Sequence, residues 1–255
     1  MTAGPSVPSG PPVEPVQPAD VPVSALAWLP CHRLVASRYP TVGLYDDIAR
    51  PEDLDVVFAI EALTHPRLRQ ALGALSLVAP ADRAIGPGAT LIMAPFTHLN
   101  PEGSRFSDGS YGVYYAADSL DTAIAEVSHH RARFLARTAE PEIDVDLRWV
   151  QADLRQPAVH DIRHPGPGAA DFSRLHDPDH YGASQALGRA LRSQASLALA
   201  YNSVRRAGGQ CVAVFVPRAL ARARPVGHLS LHWDGQRISH WFEKSEPRVV
   251  PRPLR

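Results

Sequence analysis

Between Gly103 and His130 the chain reads GSRFSDGSYGVYYAADSLDTAIAEVSHH, and this segment commits it to a loop, a strand and a helix in succession. Gly103 and Gly109 bound a polar loop carrying Arg105, where backbone can approach a ligand closely. Tyr111 to Ala116 reads as a short strand. Asp118 and Ser119 are N-cap residues for a helix running to about Arg137. Leu120, Ala123, Ile124, Val127 and Phe134 form that helix's apolar stripe, and Glu126 falls at its edge with His130 on the same side. Tyr114 and Tyr115 alternate, so one ring faces the core and the other the opposite face of the strand. A cation, an aromatic face and a carboxylate on consecutive elements can meet in one cleft. That trio suits a ligand anionic at one end and a flat cationic ring at the other.

The remaining pattern surrounds this unit with a single α+β domain of mixed or antiparallel sheets and packed helices. Residues 1–24 are proline-rich with few large apolar side chains, so a disordered or extended tail is expected there. The fold proper, 25–255, starts near Ala25 with LAWLPCHRLVASRY as a strand-like entry. Pro51 to Gly73 has helical spacing, divided at Pro66. Ala89 to Ala94 reads as a compact apolar strand. Ile143, Val145, Leu147 and Trp149 alternate as a half-buried strand. A loop rich in Pro, Gly, Asp and His runs from Asp161 to His180. Gly182 to Gln194 reads as a helix, and Leu197 to Tyr201 and Cys211 to Val216 as strands. Asp234-Gly235 between alternating runs signals a hairpin.

Composition removes several classes of function. Acidic and basic residues balance at 26 each, so nothing draws the chain to nucleic acid or to a membrane surface. Lys244 is the sole lysine, a bias expected of a GC-rich genome. Cys31 and Cys211 make no disulfide framework and permit a reducing compartment. No apolar run reaches membrane-spanning length and no secretion signal is visible, so a cytoplasmic location is expected. No heptad seam appears, which leaves oligomeric state open, a homodimer included.

Histidine pairs His160/His164 and His176/His180 are four apart but lie in Pro/Gly-rich loops. Without HExxH or CxxC, no metal is expected. Walker, GxGxxG, helix-turn-helix and zinc-finger signatures are missing. Ser203 sits in YNSVRRAGG just past a strand; it lacks a Gly-x-Ser-x-Gly elbow, so its roles are to hydrogen-bond a substrate or to tie off its own turn.

Taken in order, three blocks resemble the RES-domain family. HRLVASRYP resembles its opening strand, with Arg38 and Tyr39 at the Arg-aromatic pair. The Gly103–His130 segment resembles its central motif, with Arg105, Tyr115 and Glu126 at functional positions. YGASQALGRALR and YNSVRRAGGQCVAVF resemble its closing block, with Ser203 at the serine position. RFS stands where compact members have Arg-Trp-Asn, and the long segment between Arg38 and Arg105 resembles the longer subfamily. The resemblance implies a fold similar to ADP-ribosyltransferase toxins and an enzyme that consumes NAD as substrate, with no bound cofactor. Some members cleave the nicotinamide–ribose bond by phosphorolysis, with inorganic phosphate as co-substrate; several are toxins paired with an Xre-type antitoxin.

On this expectation Glu126, Arg105 and Ser203 are catalytic, and Arg38, Tyr39 and Tyr115 bind NAD. Glu126 stabilises the charge developing on the ribose, Arg38 or Arg105 binds the diphosphate, and Tyr115 or Tyr39 packs against a ring. The alternatives are a protein ADP-ribosyltransferase and a non-catalytic nucleotide-binding or interaction module.

Overall fold

The computed structural model describes residues 14–37, 46, 73–166, 168 and 170–245. Strands β1 (Val23–Ala25) and β2 (Cys31–Ala36) precede helix α1 (Ala89–Thr97), strand β3 (Tyr114–Ala117) and helix α2 (Leu120–Arg137). Then come β4 (Ile143–Leu154), β5 (Ala158–Asp161), helix α3 (Gly182–Ser193), β6 (Ala198–Asn202), β7 (Gln210–Val214), β8 (Leu220–Trp233) and β9 (Ile238–Lys244). The strands form one mixed sheet in the order β1-β5-β6-β7-β3-β2-β4-β8-β9. Among the described strands, only β5 and β6 pair in parallel. This is the α+β domain that the irregular succession of elements predicts.

Period-two alternation builds a core on each face. Cys211 and Ala213 of β7 and Leu199 and Tyr201 of β6 point to the side covered by α2 and α3. Val212, Val214, Ala198 and Ala200 point to the side where α1 packs with Ile92, Met93 and Phe96. Burial on both faces is why these central strands read as unbroken apolar runs. Tyr114 and Tyr115 divide in the same way: Tyr114 is wholly buried on the α1 side, and Tyr115 packs on the α2 side.

Three expectations are corrected. Ala89–Ala94 is not a strand but most of α1, which carries Pro95 in its last turn. A short apolar run buried on all sides has no period to distinguish the two states. The fold also begins before Ala25: Val21 is buried, and Val23 and Ser24 pair with His160 and Val159 of β5. There Asp161 accepts hydrogen bonds from Ser24 and from the Arg163 guanidinium in a buried ion pair at 2.7 Å, which anchors the sheet edge. Finally, Phe134 is exposed and Leu135 is buried in its place. On an ideal helix Leu135 lies about 20° from Ile124, whereas Phe134 is about 80° away. The expected helices between residues 51 and 72, and the tail through residue 13, lie outside the described residues.

Two local signals were read as they stand. Ser119 caps α2 by accepting from the Thr122 amide. Asp234-Gly235 turns β8 into β9, with Gly235 at a positive φ of 91°.

One irregularity of the sheet positions the site. β2 makes six rungs with β4, and β3 makes four with β7, but β2 and β3 share a single rung, His32 with Ala117. Beyond that rung the strands part. Arg33 spans the gap, donating from Nη1 to the Tyr115 carbonyl at 2.8 Å with its guanidinium 4.7 Å above the Tyr114 ring.

Close approach of α3 to the loop after Arg105 is equally specific. A Cβ on Gly188 would stand 2.3 Å from the Phe106 carbonyl oxygen. Alanine in place of a helical glycine ordinarily stabilises by about 1 kcal/mol. Gly188→Ala is expected to reverse that sign and cost on the order of 1–3 kcal/mol through overpacking, read as a lower urea midpoint. A raised midpoint would contradict this packing.

Candidate active site

A cavity of about 240 Å³ opens where β2 and β3 part, under the first turns of α2. Arg33, Arg105, Tyr115, Glu126, His130 and Tyr181 are among the side chains lining it. Of the residues expected to act together, Arg105, Tyr115 and Glu126 line this one space, and Ser203 reaches it by a hydrogen bond to Glu126. Arg38 and Tyr39 lie outside the described residues.

Glu126 comes to the cavity because it sits on the flank of α2, at the border of the stripe that packs on the sheet. Its Oε1 accepts from Ser203 Oγ at 2.6 Å. The same hydroxyl oxygen accepts from the Arg205 and Arg206 amides, each at 3.1 Å. Ser203 therefore does tie off the β6–β7 turn, and in doing so it aims its only proton at the carboxylate. Among the described residues no donor is bonded to Oε2, which is left for a ligand.

Arg105 is buried, at 7% exposure, and much of its bonding is internal. Nη1 donates to the carbonyls of Leu175 and Asp177 at 3.2 and 2.7 Å, and the guanidinium lies 4.7 Å over the Tyr181 ring. It thus ties the Ser173–Tyr181 segment against the cavity wall. Arg205 adds a second tie, Nη2 to the Pro178 carbonyl at 2.6 Å. The Tyr115 hydroxyl is shared between Ser104 Oγ at 2.8 Å and the Phe106 amide at 3.0 Å. Burial pushes its pKa well up, so the phenol stays protonated and offers the cavity a ring rather than a base.

Arg33 was not singled out from the sequence. It shares a strand face with Cys31 and Val35, both packed in the α1-side core. A cation in such company needs a partner, and that was the available signal. Burial lowers its pKa, and its Nε has no hydrogen-bond partner. Outside the lining of this cavity, His176 braces the strand end that leads to Ser203. Its Nε2 accepts from the Asn202 amide at 3.2 Å, next to Ser203, while Nδ1 faces the Phe172 carbonyl at 3.0 Å. The ring is therefore neutral, with its proton on Nδ1. Among the described residues no three His, Cys, Asp or Glu side chains converge as a metal site, and no helix is long and apolar enough to cross a membrane.

A family model described as RES domain matches residues 80–234. An uncharacterized protein, y4oC, of Sinorhizobium fredii (strain NBRC 101917 / NGR234) is 30% identical over 226 residues, covering 88% of this chain and 92% of its own. A crystal structure of the M. tuberculosis MbcT–MbcA toxin–antitoxin complex is similar at a TM-score of 0.38 and 18% identity, over 49% of this chain and 73% of that one.

Several half-buried histidines make stability pH-dependent. Burial lowers the pKa of His176, His32 and His160, with the Phe172 carbonyl opposing it at His176 and Asp118 at His32. Below about pH 6.5 the unfolded chain takes up protons that these folded rings refuse. Stability therefore falls as pH drops through the window between 6.5 and the lowered folded values, by up to about 1.4 kcal/mol per pH unit for each ring. The urea midpoint is expected to decline between pH 7.5 and 5.5, and less steeply in His176→Gln. A midpoint that rises on acidification would contradict the neutral assignment.

Proposed function

Because this chain belongs to the RES-domain family, we propose that it consumes NAD, breaking the nicotinamide–ribose bond with inorganic phosphate as acceptor. The observation that carries this reading is Glu126: one oxygen is fixed by Ser203 and the other is free, in a cavity shared with two guanidiniums.

The chemistry follows from charge. As the bond from the ribose C1′ to the pyridinium nitrogen breaks, its electron pair passes to the ring and nicotinamide leaves neutral. Positive charge spreads over C1′ and the ring oxygen. The Glu126 carboxylate, oriented before the reaction, stabilises that charge where water is displaced. A phosphate oxygen then bonds to C1′, giving ADP-ribose phosphate. Arg33, together with the N–H groups of Arg105 not spent on Leu175 and Asp177, supplies positive charge for the diphosphate and the incoming phosphate. The Tyr115 ring restrains the ring of the substrate. Ser203 serves as a positioning residue for Glu126.

The cavity lies below the usual range of about 300–1,000 Å³ for small-molecule sites. It accommodates the half of the dinucleotide that reacts, and the remainder extends beyond it. The resemblance of the sequence blocks extends the reading to a cytoplasmic toxin held by an Xre-type antitoxin.

Incubation with NAD is expected to release nicotinamide in a phosphate-dependent manner, with ADP-ribose phosphate seen by mass spectrometry. Free ADP-ribose would make water the acceptor, and an adduct on protein would make it a side chain. NAD intact after hours would overturn the reading.

Glu126→Gln is expected to lower turnover at least about 100-fold at an unchanged urea midpoint. Ser203→Ala, which leaves the carboxylate in place but unaimed, is expected to lose less than Glu126→Gln. Near-native turnover in Glu126→Gln would remove that residue from the mechanism.

A further inference from the structure

His32 lies at the point where the sheet divides. It forms the one rung between β2 and β3, pairs on its other side with Gln151 of β4, and lines the cavity. Trp149, diagonal to it on β4, donates from its indole Nε1 to His32 Nδ1 at 3.0 Å, and the two rings stack at 21° with centroids 5.6 Å apart. An indole N–H can only donate, so Nδ1 must be unprotonated. A neutral imidazole with a bare Nδ1 carries its proton on Nε2. The β-ladder, the stack and the indole bond together fix both the place and the tautomer of this ring. Among the described residues, no acceptor is bonded to Nε2.

We propose that His32 is a specificity-determining residue of the cavity, whose Nε2–H donates to an uncharged oxygen of the bound nucleoside, a ribose hydroxyl or a base carbonyl. The division of labour favours an uncharged acceptor: Arg33 and Arg105 bring the cationic donors suited to phosphate oxygens, and His32 brings a neutral one. Burial lowers its pKa against the opposing pull of Asp118, which keeps the ring neutral at pH 7. The ring stands outside the span matched by the family model, residues 80–234. This assignment rests on the NAD reading for the identity of the ligand, whereas the tautomer does not.

The test is ¹⁵N NMR of histidine-labelled full-length protein at pH 7, with and without a carbocyclic NAD analogue that cannot lose nicotinamide. In the free protein, His32 is expected to show protonated Nε2 and bare Nδ1, and Trp149→Phe is expected to release that preference. A protonated Nδ1 or a doubly protonated ring overturns the proposal whatever the ligand. The analogue is expected to shift the His32 Nε2–H signal. A matching shift with nicotinamide alone assigns the base carbonyl, and one with ADP-ribose assigns a ribose hydroxyl. A shift with inorganic diphosphate alone would make the acceptor an anion and overturn the proposal.

If the analogue moves other cavity histidines such as His130 but not His32, the donor role fails and the NAD reading survives. If it moves none, both fail. In kinetics, His32→Phe keeps an aromatic ring and removes the donor. It is expected to raise KM about 3- to 10-fold, the scale of one neutral hydrogen bond, and His32→Gln is expected to recover part of that loss. A purely structural role would lower the urea midpoint and leave KM unchanged.

Discussion

The single rung between His32 and Ala117 is the constraint from which the rest of this molecule follows. β2 is committed to β4 and β3 to β7, and only that rung closes the sheet between them. A longer ladder would fill the gap with backbone hydrogen bonds and leave no cavity. Parting strands expose peptide groups that must be satisfied. Arg33 meets this need at the Tyr115 carbonyl, stacked on Tyr114, at the cost of half-burying a cation whose Nε has no partner among the described residues. Buried charge is expensive without compensation. Its presence in the lining of a cavity is the kind of unbalanced feature that an anionic ligand completes.

The loops around that opening are held by the same side chains that face it. Arg105 ties down the Ser173–Tyr181 segment through two carbonyls, and Ser203 closes its own turn while it orients Glu126. Folding and site assembly are therefore one event, since neither loop can move without disturbing a charged group in the cavity. Truncating Arg105 would leave two carbonyls and the Tyr181 ring without their partner, so lost activity in such a variant mixes lost binding with a loosened wall. Glu126 is simpler, because its one internal bond is to a hydroxyl that has two amides as further partners.

What could be read from the sequence was what is encoded locally. The cap at Ser119, the divided faces of Tyr114 and Tyr115 and the turn at Asp234-Gly235 each depend on a few neighbouring residues, and each is present. Glu126, Arg105 and Tyr115 share a cavity because they belong to one loop–strand–helix unit. Arg33 carried only a weak local signal, a cation among apolar neighbours, because its importance comes from the divergence of two strands far apart in sequence. The hydrogen bond from Ser203 to Glu126 spans 77 positions, and no local pattern announces it. Ala89–Ala94 misled because residues enclosed by the core on every side show no period, whether helical or extended.

The permanent charges in the cavity set what it can hold. Arg33 and Arg105 contribute two positive charges and Glu126 one negative, while Tyr115 and His32 are neutral. The balance is one positive charge. The proposed substrate, NAD, carries a diphosphate and a pyridinium, close to one net negative charge in total, so its charge and that of the cavity with its surroundings would compensate each other. In the proposed reaction the pyridinium charge would pass from the base to the sugar beside Glu126, so the carboxylate would interact most strongly with the transition state. After departure of neutral nicotinamide, the remaining fragment and an incoming phosphate dianion would both face the arginines. Departure of a neutral base leaves that balance unchanged, so an anionic acceptor would be held by direct contact with guanidinium N–H groups rather than by net charge. Two guanidiniums let one hold the diphosphate while the other meets an incoming phosphate oxygen, and this pairing is what supports the proposed phosphorolytic reading over hydrolysis.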